Sequence, residues 1–296
     1  MKIYSKLKEN AKNLLNEKKV EAALGSFKKA YLYDEAKYDK EFLLDMALLY
    51  SELKDGEKAR DVYEEVLAVD KEEPRAFYGI GITYDDDGDY IKAIEYYKKA
   101  VKLDSNYDRA YFFMANAYDE LGFKEEAIRY YKNTIDIVPL DFWAYINLGS
   151  IYEENGEYEK AIENFQEALK IIPNHYMAFF NMGVAYGKLG STLKAIKCYE
   201  EAIKNNLGYG YSFLNLSIIY KNFNDFTKAI KIISKGITYN PEMPSLYYNR
   251  ACFYAHIGET KQSARDLSQA ITLLPVLKDY AKEDEDLRKI YMELFK

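Results

Sequence analysis

The sequence has few of the residues that turns, disulfides and metal sites require. Its 296 residues include 15 glycines, 6 prolines, 2 cysteines and 2 histidines. So few turn-forming residues argue against an all-β protein. Two cysteines exclude a disulfide scaffold and fit a reducing compartment. Neither Cys198 and Cys252 nor His175 and His256 have the spacing of metal ligands, so we expect no metal site and no cofactor.

Long apolar runs and catalytic motifs are missing as well. No stretch reaches the ~18 apolar residues that cross a membrane, and residues 1–19 lack the apolar region of a signal peptide. The net charge of -7 disfavours nonspecific binding to nucleic acid. G-x-S-x-G, H-E-x-x-H and Walker motifs do not occur, which argues against an enzyme. We therefore expect a cytoplasmic protein without membrane or nucleic-acid partners.

Tyrosine, by contrast, is abundant, and its positions are periodic. Seven of the 31 tyrosines follow one another at intervals of 34 residues: Tyr50, Tyr84, Tyr118, Tyr152, Tyr186, Tyr220 and Tyr254. A second series of alanines keeps the same period, as do a series of small residues that includes Gly81, Gly149 and Gly183 and a series of large apolar residues. Four series in one register indicate a repeat protein.

Each repeat has the pattern of two helices joined by a tight turn. Within residues 142–175, apolar residues recur at steps of three and four, which is a helical period. Gly156 interrupts the pattern, and a glycine can take the left-handed conformation that ends a helix. Equivalent glycines occur in four other repeats, and we assign Gly56 to the turn of the second. All six prolines fall at repeat boundaries, where helices end or begin.

A 34-residue unit with small–x2–Tyr, then Ala–x3–aromatic–x2–Ala, then Pro resembles the tetratricopeptide repeat. The resemblance implies an all-α protein, a right-handed superhelical solenoid of eight helix-turn-helix repeats that occupies residues 1–296. The predicted repeats are 4–37, 40–73, 74–107, 108–141, 142–175, 176–209, 210–243 and 244–277. Residues 278–296 leave the pattern but keep one apolar stripe. We predict a C-terminal capping helix there, with an exposed partner-binding helix as the alternative.

The first helix of each repeat carries the candidate binding residues. Its face away from the partner helix is largely aromatic and aliphatic, whereas a face that only meets water is polar. The family resemblance implies that this face lines a concave groove for ligands. The candidates in the groove are Phe112, Asn116, Trp143, Asn147, Phe180, Asn181, Leu214, Asn215, Tyr248 and Asn249. The alternative is that these side chains pack on one another across adjacent repeats.

Four of these candidates are asparagines spaced by 34 residues, at 147, 181, 215 and 249. A primary amide both donates and accepts hydrogen bonds, so it can pair with a peptide bond whatever side chains the peptide carries. We therefore predict a ladder of asparagines that holds an extended peptide. Asparagines that bond only their own helix are the alternative. Trp143 is expected at the edge of the groove, partly solvated.

The function that these features favour is an interaction scaffold or adaptor that binds an extended segment of a partner protein. Two other hypotheses stay open: a regulatory sensor that responds to a peptide, and a structural protein whose end repeats stack into oligomers. The sequence does not fix the oligomeric state, although a monomer is favoured.

Overall fold

The computed structural model describes residues 2–294, which form 18 α-helices and one 3₁₀ helix without any β-strand. The all-α fold class is confirmed. The first helices of the pairs are α1 (Lys2–Asn16), α3 (Lys40–Glu52), α5 (Pro74–Asp86), α7 (Asp108–Glu120), α9 (Phe142–Glu154), α11 (Tyr176–Lys188), α13 (Gly210–Asn222) and α15 (Pro244–His256). The second helices are α2 (Val20–Tyr31), α4 (Gly56–Val69), α6 (Tyr90–Leu103), α8 (Lys124–Ile137), α10 (Tyr158–Ile171), α12 (Thr192–Asn205), α14 (Phe226–Tyr239) and α16 (Thr260–Leu273). The 3₁₀ helix is Asp34–Tyr38, and the chain ends in α17 (Leu277–Glu283) and α18 (Arg288–Leu294).

The chain divides into two compact units, one ending at Ala144 and the other beginning at Tyr145. In the N-terminal unit, helices from α3 to α8 each pack against the next one along the chain, and α10 to α16 do the same in the C-terminal unit. From α3 onward, a first helix begins every 34 residues. The handedness of the helix stack stays a prediction. Among residues 2–294, no helix has both the length and the apolar character needed to cross a membrane.

The turn inside each helix pair has one geometry throughout. Gly88, Gly122, Gly156, Gly190 and Gly258 all have φ between 72° and 79°. In the other three pairs the equivalent residue is not glycine, yet Lys18, Lys54 and Asn224 also have positive φ, at 58° to 60°. The assignment of Gly56 to the second turn is therefore wrong. Lys54 makes that turn, and Gly56 is the first residue of α4.

One backbone hydrogen bond closes each of these turns. The carbonyl of the periodic tyrosine accepts it from the N–H five residues later, as from Asp89 to Tyr84 at 2.8 Å. The same bond, 2.8 to 2.9 Å long, occurs in all eight pairs, with Leu14 in place of tyrosine in the first. Since this bond involves only the backbone, the turn forms whether or not its left-handed residue is glycine.

The side chains of the periodic tyrosines carry a second regularity that the sequence analysis missed. In five pairs a lysine eight residues after the tyrosine places its ammonium group 4.0 to 5.8 Å from the ring centroid. These pairs are Tyr50–Lys58, Tyr84–Lys92, Tyr152–Lys160, Tyr186–Lys194 and Tyr220–Lys228. Each such cation–π contact joins the first helix to the second across the turn.

The series of small residues has a direct cause in the packing of the two helices. A Cβ added to Gly81 or Gly149 would lie 2.5 Å from the ring of Tyr97 or Phe165, and one added to Gly183 would lie 2.8 Å from Tyr199. Those distances are shorter than any carbon–carbon contact. The large apolar residue of the second helix therefore occupies the space that a side chain on the first helix would need.

The C-terminal segment differs from the single capping helix that the sequence predicts. It forms two helices, α17 and α18, because Asp284 takes an extended backbone conformation between them, and its carboxylate accepts a hydrogen bond from the Asp286 N–H at 2.9 Å. Ala281, Leu287 and Ile290 are buried in one cluster with apolar residues of α15 and α16. The segment thus packs on the last helix pair. Residues 295–296 of the predicted cap lie outside the described residues.

The start of α5 holds a buried carboxylate with two basic partners. Glu73 is 4% exposed. Its side chain accepts hydrogen bonds from the backbone N–H and the guanidinium of Arg75, and it lies 2.9 Å from the Lys40 ammonium group. The bonds from Arg75, and then from Lys40, lower the pKa of Glu73 from its ordinary 4.5 to about 2, against the effect of burial.

This depressed pKa predicts how stability depends on pH. A group with a lowered folded-state pKa stabilises the protein fully above its unfolded pKa, and that contribution is lost as the pH falls from about 4.5 towards 2. We expect Glu73→Gln to lower the free energy of unfolding by about 2 kcal/mol at pH 7, and by progressively less below pH 4.5. Urea unfolding followed by circular dichroism at several pH values measures this. The exposed neighbour Glu72, changed to Gln, is the control. A Glu73→Gln deficit that stays constant down to pH 3 would contradict the assignment.

Candidate peptide-binding surface

The first helices separate a buried face from a half-buried one, as the sequence predicts. In α11, Met182 and Gly183 are buried towards the partner helix, whereas Phe180, Asn181 and Val184 are half-buried. The equivalent residues of α13 and α15 are half-buried too, except Cys252, which is buried. We call the half-buried residues of α11, α13 and α15 the asparagine face. It belongs entirely to the C-terminal unit.

The four asparagines of the predicted ladder are all half-buried, but they differ in their hydrogen bonds. The Asn215 amide nitrogen donates to the Tyr199 hydroxyl at 3.3 Å, and that of Asn181 lies 3.5 Å from the Ser150 hydroxyl. Both bonds are long and therefore weak. Asn249 donates to the Ser245 carbonyl of its own helix at 2.9 Å, which is the alternative that the sequence left open.

A cavity of about 530 Å³ opens beside Asn215, between α11 and α13. Its apolar walls come from Val184, Ile218 and Phe223, and Lys188 lies at its edge. The cavity combines an apolar interior with an amide and an ammonium group, a composition typical of ligand pockets. Sequence reasoning placed Asn215 on this face but did not find the cavity, since its walls come from separate repeats.

The aromatic and aliphatic candidates of the asparagine face contact their neighbours. The Phe180 ring lies 5.0 Å from Tyr209 and 5.7 Å from Tyr199. Leu214 packs against the buried cluster of the last repeats. Tyr248 is half-buried and donates its hydroxyl hydrogen to Asp284 at 2.8 Å. These side chains form the floor of the surface as well as part of its exposed area.

The remaining candidates lie in the N-terminal unit, around Trp143. Its side chain is 48% exposed, in agreement with the partly solvated ring that the sequence predicts. It lines a cavity of about 300 Å³ together with Phe112, Phe113 and three charged residues, Asp108, Arg109 and Asp141. Asn116 accepts a hydrogen bond from the Tyr131 hydroxyl. The charged rim was not predicted, because its members come from two different repeats.

A second cavity in this unit, of about 380 Å³, lies beside Gly79, where later repeats carry asparagine. A Cβ on Gly79 would lie 2.2 Å from the Tyr63 ring, so the ring occupies the space of the missing side chain. Asp85 lines the cavity and accepts a hydrogen bond from the Tyr97 hydroxyl at 2.9 Å. Burial raises the pKa of Asp85.

Comparison with known proteins accounts for this architecture. Sequence models described as tetratricopeptide repeat match residues 74–107 and 142–175, and also 41–73, 108–137, 178–208 and 211–243. The chain belongs to the tetratricopeptide repeat family. No curated protein sequence matches it. The tetratricopeptide repeat fold supports a role as a protein-interaction scaffold with protein or peptide partners, and members of the family are generally not enzymes.

Solved structures of other tetratricopeptide repeat arrays are similar to parts of the chain. The crystal structure of MamA matches at 29% identity and a TM-score of 0.53, over 56% of this chain and 91% of MamA. YrrB, described as a tetratricopeptide repeat protein with an unusual peptide-binding site, matches at 24% identity and a TM-score of 0.54, over 63% of this chain and 95% of YrrB. The Cut9–Hcn1 hetero-tetramer matches at 15% identity and a TM-score of 0.57, over 94% of this chain and 53% of its own. The last two show the shared fold.

Proposed function

We propose that the asparagine face binds an extended segment of a partner protein, with Asn181 and Asn215 as the residues that hold its backbone. The observation that carries the proposal is the state of these two amides. Each is half-buried on the surface, and each is engaged only through a long bond from its nitrogen. Within residues 2–294, no group donates a hydrogen bond to either amide oxygen.

Long bonds of this kind are exchanged at little cost. A peptide that presents a carbonyl to the amide nitrogen and an N–H to the amide oxygen replaces one weak bond by two good ones. Asn181 and Asn215 occupy the same phase of adjacent first helices. They can therefore contact successive parts of one extended chain. Asn249 contributes less, because its amide already has a good bond to its own helix.

The cavity beside Asn215 supplies the side-chain specificity. Val184, Ile218 and Phe223 make an apolar interior that fits one aliphatic or aromatic side chain of the peptide. The Lys188 ammonium group at the edge favours an acidic residue close to that side chain. The preferred ligand is thus an extended segment with an apolar residue next to an acidic one.

The double variant Asn181→Ala, Asn215→Ala tests this function. Each backbone hydrogen bond contributes about 1 kcal/mol, so we expect affinity to fall about tenfold or more. The probe is a peptide selected from a random-peptide display library against the unaltered protein, and its affinity is measured by calorimetry. The matched control changes Asn164 and Asn205, on second helices, to Ala. Circular dichroism verifies that both double variants remain folded.

Two results would count against the proposal. One is an affinity for the selected peptide that is equal in the folded double variant and in the control. The other is a peptide that binds through the N-terminal unit instead, so that Trp143→Ala abolishes its binding while the asparagine variant keeps it. The sensor and oligomer hypotheses stay predictions that scattering with the bound peptide and sedimentation would test.

A further inference from the structure

Four side chains with different donor atoms meet at the C-terminal end of the C-terminal unit. Cys252 and His256 belong to α15, and Asp284 and Asp286 to the segment between α17 and α18. The Cys252 sulfur and one carboxylate oxygen from each aspartate all lie within 4.8 Å of one another. The His256 Nε2 lies 3.1 Å from an oxygen of Asp286. Within residues 2–294, the cysteine and the two aspartates are the one group of this kind.

The fold brings these residues together in two ways. Cys252 and His256 are four residues apart on one helix, so both point to the same side of α15. The break at Asp284 turns the chain back over that side, and burial of Leu287 and Ile290 holds it there. The two aspartates therefore approach the cysteine and the histidine from the opposite direction.

Cys252 is the unusual member of the group. Its side chain is 8% exposed, its thiol is free, and it faces two carboxylates. The same position in the three preceding repeats holds Ser150, Val184 and Ile218. A buried thiol enclosed by two negatively charged groups is an unfavourable arrangement unless a cation lies among them. This is an observation on Cys252 itself, independent of the number of acidic residues nearby.

The distances suit a metal ion. Ligands at about 2.0 to 2.3 Å from a tetrahedral zinc ion lie about 3.3 to 3.8 Å from one another. The 3.1 Å between His256 and Asp286, and the upper limit of 4.8 Å for the other three atoms, are within small side-chain rotations of those values. The Tyr248 hydroxyl donates to Asp284 at 2.8 Å, and such outer hydrogen bonds orient carboxylate ligands.

We propose that Cys252, His256, Asp284 and Asp286 bind one divalent transition-metal ion of the zinc class. Sulfur and imidazole ligands favour zinc and cobalt over magnesium or calcium, which prefer oxygen alone. The ion joins α15 to the segment that covers the last helix pair. Binding therefore stabilises the C-terminal end of the folded chain, and the site is separate from the proposed peptide contacts of Asn181 and Asn215.

Cobalt titration of the full chain without an affinity tag tests the site. We expect one equivalent of Co²⁺ to bind with a thiolate-to-cobalt charge-transfer absorbance, and Zn²⁺ to displace it. Cys252→Ala abolishes that absorbance, whereas Cys198→Ala, at the other buried free cysteine, retains it. Asp286→Asn, at a half-buried position, weakens binding at least tenfold. Zn²⁺ raises the Tm of the unaltered protein and leaves that of Cys252→Ala unchanged.

Either of two outcomes overturns the proposal. The first is the lack of a charge-transfer absorbance in the unaltered protein, which would mean that His256 and Asp286 form an ion pair only. The second is an absorbance that survives in Cys252→Ala or disappears in Cys198→Ala. If Cys252→Ala does not fold, Asp286→Asn decides, because unchanged cobalt affinity in that variant excludes the site.

Discussion

We expect Asp266→Ala to lower the free energy of unfolding by about 4 kcal/mol. Asp266 is 5% exposed and accepts two hydrogen bonds from Arg250, at 2.6 and 2.8 Å, one on each carboxylate oxygen. A third guanidinium hydrogen bond goes to the Ser234 hydroxyl at 2.9 Å. Removing the carboxylate leaves the Arg250 charge in a largely buried place with one neutral partner, which is the main source of the loss.

The paired variant Arg250→Met, Asp266→Leu separates the cost of an orphaned charge from the contribution of the ion pair. Because it removes both charges and keeps the volume, we expect it to be considerably more stable than Asp266→Ala. Urea unfolding followed by circular dichroism measures both. A loss below about 1 kcal/mol for Asp266→Ala, or a paired variant as unstable as the single one, would contradict the assignment of Asp266 as a buried countercharge.

We expect Phe165→Ala to cost a similar amount, about 3 to 5 kcal/mol. Phe165 is completely buried, and its ring occupies the space next to Gly149 where a side chain would otherwise lie. Since Gly149 cannot fill the gap, the truncation leaves a cavity between the two helices of the pair. Such cavities account for the upper part of the range measured for large-to-small substitutions.

Phe165→Tyr is the matched control for this prediction. Tyrosine occupies the same position in three other repeats, where its hydroxyl bonds to Asp85, Asn116 or Asn215. We therefore expect Phe165→Tyr to cost less than about 1 kcal/mol. The unfolding free energies of both variants are measured side by side. Equal losses in the two variants would show that the aromatic ring is not what fills the space beside Gly149.

Much of the fold could be predicted because its signals are local. Glycine and proline mark where helices end, and the 34-residue period fixes the phase of each helix. Lys54 escaped prediction because its left-handed conformation is imposed by the turn around it and not by its own preference. The break at Asp284 escaped because the apolar stripe of the C-terminal segment continues through it, so the pattern alone resembles one helix.

The candidate site was less predictable, because its chemistry depends on contacts between repeats. The period placed the asparagines on one face, but it could not distinguish Asn215, bonded to Tyr199, from Asn249, bonded to its own helix. Comparing cysteine with cysteine and histidine with histidine also concealed the spacing of Cys252 and His256. Their four-residue separation was a usable signal, whereas the approach of Asp284 and Asp286 requires the folded chain.

The hydrogen bond that closes each turn has a consequence for how the array can change in length. Both of its ends lie within six consecutive residues, and the tyrosine contributes only its carbonyl. A duplication or deletion of 34 codons, wherever it starts, keeps every turn intact and restores the same residue types at each junction. Repeat number can thus vary in evolution without compensating substitutions at the turns. The last helix pair is the exception, since Arg250 and Asp266 form their buried ion pair there.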